Sequence, residues 1–148
     1  MLRPAEQLML LYQDYFTHIH IGFQMHRVCV GTDIIEIQRI REAVERWGDR
    51  FLNRVYTTSE LTLFGGRIAS LAARFAGKEA VIKALGGGEV GIGWKDVEIL
   101  SEPDGKPVVS LSGTAGERAK QMGLQNLAIS LSHSRENAIA IVIGIRED

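Results

Sequence analysis

Glu79 and Lys83 stand four residues apart inside FAGKEAVIKALG, residues 75–86, a stretch that apart from them and Lys78 is built of alanine, glycine and large apolar side chains. On a helical period Leu71, Phe75, Ile82 and Leu85 fall on one face, and Ala72, Ala76 and Ala80 line the next, beside Glu79 and Lys83. Little of the circumference is left for water. A charge on such a helix must be paired, hydrogen-bonded or bound to a metal. Two chemistries meet that demand. Glu79 precedes Lys83 in the favourable order for a helical ion pair, worth about 0.2–0.5 kcal/mol on an exposed face. Alternatively, a charged ligand comes to meet both.

Two further titratable residues close apolar segments. Asp33 ends a β-branched run that begins at RVCVG, and His133 ends LAISLSH. As purely structural groups, Asp33 would cap the following helix and His133 would be a core imidazole satisfied by a backbone carbonyl. Taken together, Asp33, Glu79, Lys83 and His133 supply two hard oxygen ligands, one ammonium and one imidazole, the inventory of a magnesium-dependent phosphate site. The competing enzyme chemistry is a hydrolase using Ser132 or Cys29 with His133, which lacks a nucleophile elbow and a third member. A third reading is a binding module that grasps its ligand without turnover; the two carboxylates and Lys83 argue against it.

The elements that must position these residues alternate in type. RVCVGTDIIEI reads as a strand, and QRIREAVERWG as a helix closed at Gly48. TTSEL, residues 57–61, offers a capping residue with Glu60 in the first turn. A long helix spans about 68–85. VEILSEPDGKPVVSL gives two strands joined at Asp104-Gly105, residues 113–122 a short helix, and LAISLSH and AIAIVIGI two strands around a polar turn. At least two hairpins mixed with helices predict an α+β fold rather than a doubly wound sheet. GGGEVG, residues 86–91, satisfies G-x-G-x-x-G, yet it follows a helix instead of a strand, so it reads as a helix stop and loop.

With 148 residues, 45% of them hydrophobic, the chain fits one globular domain. Seventeen Lys and Arg against eighteen Asp and Glu leave a net charge of −1, which argues against nucleic acid as a partner. The lone Cys29 suits a reducing compartment, and no apolar run approaches the roughly 20 residues of a membrane span, so the expected location is cytoplasmic. Residues 1–26 read as an extension ahead of a domain over 27–148. Its apolar patch makes a poor secretory signal, and His18, His20 and His26 find no carboxylate or Cys cluster to complete a metal set.

Three segments carry a resemblance. Val30-Gly31-Thr32-Asp33 with Arg39-Ile40, Arg74-Phe75-Ala76-Gly77-Lys78-Glu79-Ala80 with Lys83-Ala84, and Ser130-Leu131-Ser132-His133 resemble, in this order, the signatures of the holo-acyl-carrier-protein synthases, the small 4′-phosphopantetheinyl transferases. The likeness covers about residues 27–145. It implies a single α+β domain whose mostly antiparallel sheet packs on the long buried helix. It also implies transfer of 4′-phosphopantetheine from coenzyme A to a serine of acyl carrier protein, releasing adenosine 3′,5′-bisphosphate, with fatty acid biosynthesis as the setting. By resemblance Asp33 and Glu79 hold Mg²⁺, Lys83 neutralises or protonates the leaving phosphate, and Lys78 and His133 contact the coenzyme's phosphates. Glu79 or a metal-bound water beside it serves as base. The alanines at 72, 76 and 80 would let the nucleotide approach the helix. The resemblance further implies a homotrimer with the coenzyme site between subunits.

Acyl carrier proteins present an acidic helix around their serine. Arg39, Arg41, Arg46 and Arg50, interleaved with Val44, Trp47 and Phe51, suit a steered interface with it, with Arg39, Arg46 and Arg50 as the expected contacts. Glu42 and Glu45 on the same helix leave a plain solvated face as the alternative.

Overall fold

The computed structural model describes residues 28–146. The extension 1–26, with His18, His20 and His26, lies outside the described residues. Strand β1 (Val28–Glu36) pairs antiparallel with β5 (Asn137–Arg146), and β5 pairs antiparallel with β4 (Leu124–His133), giving the order β1-β5-β4. β2 (Val97–Ser101) and β3 (Pro107–Leu111) form a separate antiparallel hairpin. Helices α1 (Ile37–Trp47), α2 (Asp49–Val55) and α3 (Thr58–Phe64) lead into the long α4 (Ile68–Ala84), and α5 (Gly113–Gln121) precedes β4. This is the α+β arrangement anticipated, with antiparallel sheets and a long buried helix.

Local sequence explains most of the boundaries. Thr57 Oγ1 accepts from the Glu60 amide while Glu60 Oε2 accepts from the Thr57 amide, a reciprocal cap that starts α3. α1 ends where Gly48 adopts a φ of 50°, and its amide bonds Val44 O. Beyond it the chain enters α2, a helix that the sequence pattern had not separated. The glycine run closes α4: the Gly87 amide bonds Ile82 O at 2.8 Å, and residues 88–90 form only a short turn, not a dinucleotide loop.

α4 lies on the inner face of the three-stranded sheet. β5 alternates strictly, with Ala138, Ala140, Val142 and Gly144 facing in and Ile139, Ile141, Ile143 and Ile145 facing out. The approach is closest at Gly31, where a β-carbon would sit 1.8 Å from Ala80 O and 2.9 Å from the Ala84 nitrogen. Ala76, Ala80 and Ala84 are therefore small because β1 and the core press on them, and all three are buried. Ala72 is buried on the other side, in a second cluster with Ile37, Tyr56 and Leu71. The expectation that alanines 72, 76 and 80 admit a nucleotide is overturned: protein fills that space.

Among the described residues no element covers the sheet's outer face. Val28, Val30, Ile34, Ile139, Ile141, Ile143 and Ile145 are each between 42% and 64% exposed, on two paired strands. Among the described residues no helix is long and apolar enough to cross a membrane.

Candidate active site

Asp33 does not end its strand. It sits three residues inside β1, opposite Ala140, on the face turned toward α4. The Gly31 contact holds this part of β1 against α4, and Lys83 Nζ reaches back to Asp33 Oδ1 at 2.7 Å and to Thr32 O at 3.0 Å. Asp33 is well covered and Lys83 half exposed, so the ammonium stays open to solvent on its outer side.

Glu79 lies one turn before Lys83, but the two do not pair with each other. The carboxylate instead accepts the indole N–H of Trp94 at Oε1, 2.5 Å away. Of the two chemistries open to this helix, the internal ion pair is thus not used. Asp33, Glu79 and Arg39 line one cavity of about 390 Å³, walled by Ile40, Phe51 and Phe75.

Lys78 is elsewhere. Its ammonium is fully buried, 2.8 Å from Glu60 Oε2, and it donates to Trp94 O at 3.0 Å and to Val97 O. Three ammonium protons meet three acceptors, and none is left for a phosphate. The expected contact of Lys78 with coenzyme phosphates is therefore corrected to a structural tie. Burial pushes this ammonium below the ordinary lysine range, and the adjacent Glu60 carboxylate pulls it back. Glu60 also accepts the Ile99 amide through Oε1 at 2.8 Å, so α3, α4 and β2 meet at one buried carboxylate. The sequence had marked Glu60 only as a cap, because no local spacing links it to residue 78.

His133 ends β4 as expected and is exposed, its Nδ1 3.3 Å from Ser134 O. All of β5 separates it from β1, two strand spacings or about 10 Å. Within one chain the structure does not bring His133 to the cavity of Asp33 and Glu79. The hydrolase alternative is not assembled either. Cys29 is buried against the core, and Ser132 and His133, as neighbours on a strand, point to opposite faces.

The arginines divide. Arg39 lines the carboxylate cavity, whereas Arg50 lines a neighbouring groove of about 400 Å³ with Trp47, Arg54 and Trp94. Arg46 carries its guanidinium 4.9 Å from the Trp47 ring centre. Phe51 borders both hollows, making them adjacent. Trp94 had not been singled out; its only sequence signal is an aromatic residue directly behind a glycine-rich loop.

Among the described residues no three metal-ligating side chains converge. Two carboxylates on one cavity nevertheless suit a hard cation that keeps several waters and takes its other ligands from phosphate, the habit of Mg²⁺. The donor set fits that ion and would not suit zinc, which prefers nitrogen and sulfur ligands in a closed shell.

A family model, the 4′-phosphopantetheinyl transferase superfamily (ACPS), matches residues 29–142. The chain is 53% identical over 113 residues to a holo-[acyl-carrier-protein] synthase of Dehalococcoides mccartyi, covering 76% of this chain and 94% of that one. Its fold is similar to the Helicobacter pylori holo-[acyl-carrier-protein] synthase in complex with coenzyme A, with a TM-score of 0.70 and 36% identity over 78% of this chain and 98% of that one. A holo-(acyl-carrier-protein) synthase from Bacillus anthracis, in complex with CoA (3′,5′-ADP), matches with a TM-score of 0.65 and 30% identity over 80% and 96% of the two chains.

The buried pair generates a stability prediction. Lys78→Met should destabilise the protein by about 3–5 kcal/mol, because it strands the Glu60 carboxylate without a counter-charge. Adding Glu60→Leu should recover only part of that loss, because the Thr57 and Ile99 amides then lose their acceptor. Chemical denaturation of the two variants and the parent reads both effects, and a Lys78→Met protein as stable as the parent would free that ammonium for a ligand.

Proposed function

The chain belongs to the 4′-phosphopantetheinyl transferase superfamily, and from that premise we propose that it moves 4′-phosphopantetheine from coenzyme A to a serine of apo-acyl carrier protein. The second product is adenosine 3′,5′-bisphosphate, and we place the reaction in the cytoplasm, where the free Cys29 thiol stays reduced. The observation that carries the reading is that Asp33 and Glu79, from β1 and α4, line one cavity while Lys83 pairs with Asp33.

The reaction forms a bond from the serine oxygen to the β-phosphorus of the coenzyme's pyrophosphate. It breaks the link to the nucleotide phosphate, and the serine proton must leave. Asp33 and Glu79 would hold Mg²⁺, which when bound supplies charge neutralisation along the pyrophosphate. Lys83, half exposed and one turn from Glu79, meets the charge that develops on the departing phosphate and can protonate it. The serine proton goes to Glu79 or to a water beside it. Apolar walls at Phe51, Phe75 and Ile40 limit competing water.

We further propose a homotrimer. Seven large apolar side chains on one sheet face are more than an isolated soluble chain leaves to water, and packing copies through that face would cover them. In such an assembly His133, remote from the cavity of its own chain, would serve a neighbour's coenzyme phosphates. The site then lies between subunits. Arg39 lines the cavity, Arg50 lines the adjoining groove and Arg46 stacks on Trp47 of that groove, where the acidic helix of the carrier would deliver its serine.

Three outcomes test this reading. Apo-carrier incubated with coenzyme A and Mg²⁺ should gain the mass of one phosphopantetheine by mass spectrometry. Asp33→Ala, Glu79→Ala or EDTA should each cut the rate by about 10² or more. Undiminished transfer in EDTA would remove the metal, and no transfer to any carrier would overturn the activity.

Sedimentation equilibrium should give the parent as a trimer. Ile141→Asp with Ile143→Asp should give a monomer that binds coenzyme A weakly, because it lacks the neighbour's residues. A monomeric parent would refute the assembly.

The arginine role is separable from chemistry at Arg46 and Arg50, which do not line the carboxylate cavity. Replacing both with Glu should weaken carrier binding by about 10²-fold, leave coenzyme A binding nearly unchanged, and reduce the salt dependence of carrier binding seen in the parent. Equal losses in both titrations would return α1 and α2 to ordinary solvated helices.

A further inference from the structure

Trp94 is gripped by three residues of α4. Its ring lies 5.9 Å from that of Phe75, its carbonyl accepts the Lys78 ammonium at 3.0 Å, and its indole N–H donates to Glu79 Oε1 at 2.5 Å. The turn that carries it, Trp94–Asp96, is itself fixed. Asp96 Oδ2 accepts the Gly93 amide at 3.1 Å, and Asp96 O accepts the Ser112 amide at 2.9 Å, tying the turn to the end of β3. The indole is therefore a rigid donor on a rigid mount, aimed at a carboxylate that borders the cavity.

A glutamate has three rotatable side-chain bonds and two equivalent oxygens. Left alone at a cavity wall, Glu79 would divide its time among several orientations, and a reacting group displaced by about 1 Å can lose 10²-fold in rate. A neutral N–H donor satisfies one oxygen without adding a charge, so the second keeps its full capacity for a proton or a cation. A lysine in the same place would compete for both.

We propose that Trp94 is a positioning residue for the transfer reaction. Its indole N–H pins Glu79 Oε1 and thereby presents the other carboxylate oxygen to the cavity, and the buried Glu60–Lys78 pair sets its height through the Trp94 carbonyl. The inference rests on the role given to Glu79 above, and it assigns work to the two residues of the site that local sequence pattern had not linked to it. It also gives Lys78 and Glu79, adjacent on α4, one shared purpose: the first holds the backbone of Trp94 and the second receives its side chain.

The experiment removes the N–H and little else. Trp94→Phe keeps an aromatic ring against Phe75, and β-(3-benzothienyl)alanine at position 94 replaces only the indole nitrogen with sulfur. In both proteins kcat should fall by about tenfold to 10², with KM for coenzyme A and for the carrier within about twofold of the parent and an unchanged circular dichroism spectrum. The contact is read separately by fluorescence. With Trp47→Phe, Trp94 is the remaining tryptophan of the two in the chain, and Glu79→Ala should shift its emission by removing the adjacent carboxylate. A parental kcat in the benzothienyl protein, or emission indifferent to Glu79→Ala, would overturn the proposal. If Glu79→Ala is inactive and the benzothienyl protein fully active, the positioning role alone fails; if Glu79→Ala is fully active, the role of Glu79 fails and this one with it.

Discussion

At Gly31 the backbone of β1 runs against the backbone of α4 with no room for a methyl group: a β-carbon there would stand 1.8 Å from Ala80 O. That contact sets the geometry of everything that follows. It requires glycine on the strand and small residues on the helix, and it brings two elements some fifty positions apart in sequence close enough for Lys83 to reach Asp33. A wider spacing, such as two ordinary side chains would impose, would separate the carboxylate on the strand from the charges on the helix. The site is a by-product of tight helix-on-sheet packing, and the packing density of the interior supplies its precision.

The three charges of KEAVIK illustrate how one helix serves several ends. Lys78 points into the core and meets Glu60, Trp94 and Val97. Glu79, one residue on, is rotated toward the cavity, and Lys83, one turn later, pairs with Asp33 and stays half exposed. Burying an ion pair is costly, and the return here is that α3, α4 and β2 are joined at a single point. Each charge has a defined partner, which is why a helix apolar over most of its surface tolerates them.

The outer face of the three-stranded sheet follows from the same strict alternation that builds the inner one. β5 places alanine, valine and glycine inward, where α4 needs thin side chains, and isoleucine outward at every alternate position. An inner face of small residues gives little hydrophobic driving force per strand, and the outer isoleucines carry the larger apolar area.

Much of this was legible in the sequence, and for identifiable reasons. The order of strands and helices, the reciprocal cap at Thr57 and Glu60 and the hairpin at Asp104-Gly105 depend on local periodicity and turn chemistry, which short windows carry. The family signatures likewise sit in three short segments. What the sequence could not supply was direction. The resemblance assigns Lys78 to the coenzyme's phosphates, but its direction depends on the distant Glu60, which meets its ammonium in the core. The alanines read as room for a nucleotide, whereas the close approach of Gly31 shows that a strand occupies the space at Ala80 and Ala84. The Trp94 contact with Glu79 spans fifteen residues and a glycine-rich loop, and no periodic pattern survives such a loop. Sequence fixes which side chains are available and the local element each rides on, because those depend on neighbours along the chain. Which of them meet is decided by the packing of distant elements, since a contact energy depends on distance in space.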